Sequence, residues 1–221
     1  MLLSPVDNVY FTMGPTVFRQ KIGIPMGTDC APLLANLFLH YYEDKFMTTE
    51  RLTHWRLCKI LSRNSRDIDD MLTPNAGGAF YKLRDKIYPE ELALNKENPT
   101  DDAANFLDLN IAIIDHKFHV KLYDKRDDFD FHVVNFPFLD GNIPFSMGKS
   151  VIISQLVRYA RICFSLSDFL SAVHALFKKI RRQSFPEWLI QAAVCKFLKN
   201  HSGLVAPYQT PRKQLSRRMM E

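Results

Sequence analysis

Gln20-Lys21-Ile22-Gly23-Ile24-Pro25-Met26-Gly27-Thr28-Asp29-Cys30-Ala31-Pro32-Leu33-Leu34-Ala35-Asn36-Leu37-Phe38-Leu39 is the stretch whose reading decides the fold. A turn bounded by Gly23 and Gly27 runs straight into an apolar segment of helical spacing. Glycine reaches backbone conformations closed to other residues and lets a chain approach a ligand closely. Pro25 stiffens the turn between them. Thr28 or Asp29 is placed to cap the helix, and Pro32 is tolerated in a first turn that has no intrahelical donors to lose. Shaped loops at helix starts are where chains meet phosphates, sugars and bases. This one is not a Walker loop, because no Gly-Lys-Ser/Thr follows. Taken alone, it is better read as a plain turn into a core helix.

Further along the chain, three more blocks change that balance. Residues 23–35 resemble motif B of reverse transcriptases, in a variant similar to eukaryotic retroelement polymerases of the Penelope-like group. Ser65-Arg66-Asp67-Ile68-Asp69-Asp70-Met71-Leu72 stands where that family has its aromatic-X-Asp-Asp hairpin. Phe106-Leu107-Asp108-Leu109, with residues 122–128, resembles the next block. Asn142-Ile143-Pro144, followed by Gln155, Arg158, Arg161, Ile162 and Cys163, resembles the start of the thumb. The four blocks follow family order and span residues 10–169. The resemblance implies an RNA-directed DNA polymerase, with Mg2+ as cofactor and an RNA or DNA primer-template as partner. Beyond the nucleotide it implies no small-molecule cofactor. It assigns Gln20, Gly23, Ile24, Pro25, Met26 and Gly27 to the template and incoming nucleotide. Asp69 and Asp70 become the catalytic residues and metal ligands. Arg158 and Arg161, three apart on one helix face, could grip a phosphate backbone. Ion pairing with the acids among residues 124–130 is an equally good use for them.

Departures from the pattern limit the expected activity. Two-metal nucleotidyl transfer needs carboxylates converging from separate strands. In the family, one aspartate comes from motif A, which precedes motif B. Residues 1–19 contain a single acid, Asp7, and no apolar strand to carry such an aspartate into a palm. The fingers are missing as well. Asp67 stands where the family has an aromatic residue, and unneutralised carboxylates at short range oppose a compact hairpin. The expectation is therefore a polymerase fragment, inactive by itself. The alternative is a non-catalytic module, derived from the thumb, that binds nucleic acid or protein.

Composition is that of a folded chain: 221 residues, 47% hydrophobic and 24% charged, enough for one or two domains. Cys30, Cys58, Cys163 and Cys195 are scattered, with no Cys-x-x-Cys pair, and read as thiols of an intracellular protein. No stretch approaches the roughly 20 apolar residues of a membrane span, and Met1-Leu2-Leu3 is too short for a signal peptide. The reading is no membrane partner and a nuclear or cytoplasmic location. Formal net charge is +5, and from Lys178 onward many bases face only Glu187 and Glu221. Such an end can neutralise phosphates, or can simply be a solvated helix face and a frayed tail. His116 and His119 have neither the spacing nor the partners of a zinc site.

The predicted fold class is α+β: an incomplete palm, with a small antiparallel sheet and helices, then an all-helical thumb-like region. Strand-like segments are expected at residues 9–11 and 17–18, and a helix over 31–46. A second helix is ambiguous within 47–61. A turn at 73–78, a helix over 80–87 and a strand around 92–94 follow. Alternating apolar residues over 107–113 and 118–122 predict a hairpin. Helices are expected over 151–164, 167–182 and 186–200, with Ser167 as a cap. The corresponding domains are 1–148, 149–202 and a loose basic tail, 203–221.

Overall fold

A computed structural model describes residues 8–25, 27–51, 53–74, 79–98, 100–131 and 133–221, with only the backbone of residues 57, 79, 81 and 82. The chain divides into two compact units, Met1–Lys96 and Glu97–Glu221. It is a mixed α and β fold with small antiparallel sheets.

In the first unit, β1 (Tyr10–Met13) and β2 (Thr16–Arg19) form an antiparallel hairpin turned at Gly14, whose φ is +60°. Phe11 lies opposite Phe18, and their rings stack with centroids 5.4 Å apart. Helix α1 spans Ala31–Glu50, beyond the expected end at Phe46. Its N-cap is Cys30, which makes no side-chain capping bond. The expectation of a Thr28 or Asp29 cap is thereby corrected: the Thr28 hydroxyl donates to the Pro25 carbonyl at 3.2 Å instead. Helix α2 (Trp55–Leu61) takes up part of the ambiguous segment. Strands β3 (Ser65–Asp67) and β4 (Asp70–Leu72) form a second hairpin, followed by α3 (Ala79–Ile87). Phe46, Phe80, Ile87 and Tyr88 form a small core, with Leu39, Tyr42 and Ile60 packed against it. No strand forms at Leu92–Leu94. That segment is held instead by the Arg84 guanidinium, which donates to the Leu94 carbonyl at 2.7 Å. Of the expected turn at 73–78, residues 75–78 lie outside the described residues.

The second unit opens with a three-stranded antiparallel sheet, β5 (Ala103–Phe106), β6 (Leu109–Ile114) and β7 (Lys117–Leu122). The β6–β7 hairpin is the expected one, and Asp115 and His116 turn it with φ of 49° and 60°. Positive φ at both central residues is what a two-residue turn matching strand twist requires. Strand β5 was not foreseen, because Ala103-Ala104-Asn105-Phe106 carries little strand propensity and depends on pairing with β6. Helices α4 (Phe145–Ile162), α5 (Leu166–Arg181) and α6 (Glu187–Asn200) enclose a continuous apolar core. Phe169, Val173, Phe177 and Ile180 give α5 its buried stripe at helical spacing. Gly148 lets α4 close on its neighbours, since a Cβ there would meet Leu139 Cδ1 at 2.7 Å. The cap of α5 is Ser165, not Ser167. Ser165 Oγ accepts from the Asp168 amide at 3.1 Å and donates to the Asp168 carboxylate at 2.5 Å.

The expected loose tail is also corrected. Residues 203–221 enter α7 (Ser202–Val205) and α8 (Arg212–Met220), with Leu215 and Met219 fully buried one turn apart. Because β7 packs against α4 and α5, sheet and helices share one unit, and residue 148 falls inside it. All four cysteines are free thiols, and no described helix is long and apolar enough to cross a membrane.

Candidate functional site

The glycine loop has the backbone its sequence calls for. Gly23 and Gly27 both sit at φ +88°, in the region where a Cβ is strained. The Gln20 amide N–H bonds the Val9 carbonyl at 3.0 Å, tying the loop to the start of β1. The Gln20 side chain folds over its own loop, donating from Nε2 to the Ile22 carbonyl at 3.2 Å. Pro25 is buried and Ile24 half-buried, while Met26 lies outside the described residues.

The Asp-Asp hairpin forms although its sequence lacks apolar alternation. Ile68 and Asp69 make a two-residue turn, with Ile68 at φ +53°, and Asp70 opens β4 opposite Asp67. Both Asp69 and Asp70 are exposed. What seats the hairpin is Arg66, on its inner face. The guanidinium donates to Glu43 Oε1 at 2.7 Å and to Asn36 Oδ1 at 2.6 Å, both on α1. Asn36 and Glu43 are two turns apart and so share a helix face. Tyr88 donates its hydroxyl to the same Glu43 oxygen at 2.7 Å. Burial and then this bond push the Tyr88 phenol well above its ordinary range. An ion pair thus replaces the apolar strand face, and it fastens the helix after the glycine loop to the hairpin bearing Asp69 and Asp70.

The donor set for magnesium is incomplete within these residues. Among the described residues no group of three or more His, Cys, Asp or Glu gathers closely enough to hold a metal ion. Two carboxylates, Asp69 and Asp70, do not make a complete ion site by themselves.

In the second unit, Asp108, Tyr123, Lys125, Arg126 and Arg158 line a groove of about 460 Å³. Asp124 anchors its wall, accepting from Arg126 Nε at 2.6 Å and from Lys179 Nζ at 2.9 Å. Burial works against the Asp124 charge, but these bonds outweigh it and hold the carboxyl well below the usual range. Lys179 also reaches Asp127 at 2.8 Å. Nearby, burial first of all pushes the Tyr159 phenol up to about 12. Arg158 pairs with Asp108 at 2.5 Å, not with the acids of residues 124–130. Its Nε is buried with no hydrogen-bond partner. Arg161 is exposed, and among the described residues it makes no ion pair. The two arginines, alike in sequence, therefore have different surroundings.

Comparison with family models, with curated proteins and with solved structures gives no match to this chain. The reading of the site rests on its own residues. Sequence reasoning missed both the Arg66–Glu43–Tyr88 network and the Asp124–Arg126–Lys179 cluster. Only the local Asp124–Arg126 spacing carried a signal; the other partners lie 23 to 55 positions apart.

Proposed function

We propose that the chain is a reverse-transcriptase-like segment of a retroelement RNA-directed DNA polymerase, the C-terminal part of a palm followed by a thumb-like helical region. The observation carrying this reading is the joining of two of its blocks. A loop with Gly23 and Gly27 both at φ +88° leads into α1, and α1 is bonded through Asn36 and Glu43 to the hairpin that presents Asp69 and Asp70. In such an enzyme the loop bears on template and nucleotide, and the aspartates supply oxygens for magnesium. A further carboxylate is needed before a two-metal site could work. The chain alone is accordingly expected to be inactive. The test is primer extension on an RNA template with purified protein and magnesium, beside an Asp69→Ala/Asp70→Ala variant. Extension that vanishes in the variant would mean that another carboxylate of this chain completes the site. No extension from folded protein supports the fragment reading.

A second reading is favoured by one specific feature. Exposed Arg161, Lys178, Arg182, Lys196 and Lys199 make no ion pair among the described residues of the helical unit. Such a surface suits a nucleic-acid-binding module, whose affinity would be independent of magnesium and would fall steeply with salt. Fluorescence anisotropy with labelled single-stranded RNA tests this. Salt-insensitive or absent binding removes the module reading.

A further inference from the structure

We propose that the helical unit takes single-stranded nucleic acid, stacking unpaired bases on a platform made by Phe145 and Trp188. This rests on the nucleic-acid-binding reading of the unit and adds the form of the ligand and the residues that hold its bases. Phe145 opens α4, and Trp188 lies in the first turn of α6. Their ring centroids are 5.9 Å apart, with the planes tilted by 38°. Both rings stay open, Phe145 at 55% and Trp188 at 59%, while the next two residues of α6, Leu189 and Ile190, are buried. The core is therefore closed without them, and the pair presents aromatic surface to whatever binds there.

Charge selects the occupant. Residues 131–221 carry thirteen Lys and Arg against four Asp and Glu. Each of the four acids is engaged: Asp140 by Ser184, Asp168 by Ser165 and His119, Glu187 by Arg181, and Glu221 by Arg217. Helix α4 has no acid at all. The one acid of α6, Glu187, is held by Arg181 through two bonds of 3.0 and 2.9 Å. The field around the rings is thus positive, and it suits a polyanion.

Cations also lie on the same line as the platform. With 3.6 residues per turn, Cys195 and Lys199 fall within about 20° of Trp188 around α6, roughly 10 and 16 Å further along it. Arg212 of α8 reaches that line, donating to the Cys195 carbonyl at 3.3 Å. Aromatic rings followed by spaced cations match a strand that offers free base faces and a phosphate backbone together. Other polyanions match less of this surface. A duplex keeps its base faces stacked inside, and an acidic peptide answers the cations but not the rings. An anionic membrane calls for a continued apolar face, whereas beyond Trp188 the exposed residues are Gln191, Cys195 and Lys199.

The test is tryptophan fluorescence of the full chain. The sequence has two tryptophans, so Trp55→Phe leaves Trp188 as the reporter. The probes are an oligouridylate of about 12 nucleotides, an abasic strand of the same length, the matching duplex and an oligoglutamate. Oligouridylate should quench Trp188 and bind about 10-fold or more tighter than the abasic strand, because each stacked base adds affinity that phosphates alone do not. In the chain that keeps Trp55, Trp188→Ala should abolish that preference by anisotropy and leave abasic binding unchanged, while Trp188→Phe retains most of it. Circular dichroism of both variants should match the parent, since residue 188 is exposed. Equal binding of oligouridylate and abasic strand without quenching overturns the proposal and leaves the nucleic-acid reading standing. Duplex or oligoglutamate binding as tightly as oligouridylate also overturns it. No binding of any nucleic acid removes both.

Discussion

Gln183 is 1% exposed, and both its amide oxygen and nitrogen lack a hydrogen-bond partner. Its backbone is engaged, with the carbonyl accepting from Leu139 N at 2.9 Å, so the side chain alone carries the desolvation cost. Burying an unpaired amide costs about 1–3 kcal/mol, and an apolar side chain of like shape avoids it. Gln183→Met should raise unfolding stability by about 1–2 kcal/mol, measured as a higher urea midpoint at unchanged slope. Asp124 gives the opposite case, a charge that is well paired. Its carboxyl is held below the ordinary range, so it stabilises the native state fully above the unfolded-chain value of about 4. That contribution is lost as pH falls from there toward the native value. Asp124→Asn should lower stability at neutral pH and flatten its decline between about pH 5 and pH 2. Denaturant titrations of both proteins across that range check the sign.

At the scale of elements, α8 is the clearest departure from the local reading. Arg212-Lys213-Gln214-Leu215-Ser216-Arg217-Arg218-Met219 is mostly polar, and nothing local opposes a frayed end. Two residues at i and i+4, Leu215 and Met219, nevertheless bury fully in the core shared with α5 and α6. Leu215→Ala should cost about 2–5 kcal/mol, the range for a buried leucine, whereas a loose tail would give no change. A thermal melt separates the two outcomes. The β3–β4 hairpin teaches a related lesson. Ser65-Arg66-Asp67 has no apolar alternation, and Arg66 takes the inner face by bonding Glu43 and Asn36. Elements with regular apolar spacing, such as α5 and the β6–β7 pair, were legible, because the period itself names the buried face. Elements seated by one distant partner were not.

On the scale of the whole molecule, the two units differ in how much they bury. The second carries a continuous core over α4, α5, α6 and α8, while the first has four buried residues in its described core. Local opening should follow that contrast. Native-state hydrogen exchange is expected to show the slowest amides in α5 and α6. Those of β1, β2 and α2 should exchange orders of magnitude faster. Similar protection in both units would mean that the first is stabilised by something beyond its own core. Of the candidate site, the glycine loop and the aspartate pair were readable as motifs. Their attachment to each other through Arg66 was not.

The sequence by itself determined the elements with strong periodicity: the glycine loop, α1, the β6–β7 hairpin and the three long helices. Backbone conformation at Gly23 and Gly27, and the spacing of apolar residues, act over a few positions and need no distant contact. Tertiary structure alone decided that Arg66 seats the hairpin and that Arg158 pairs with Asp108. It likewise decided that the basic end folds on Leu215 and Met219. Those outcomes depend on groups far apart in the chain, whose charges and apolar surfaces gain energy only once folding has brought them within a few ångströms.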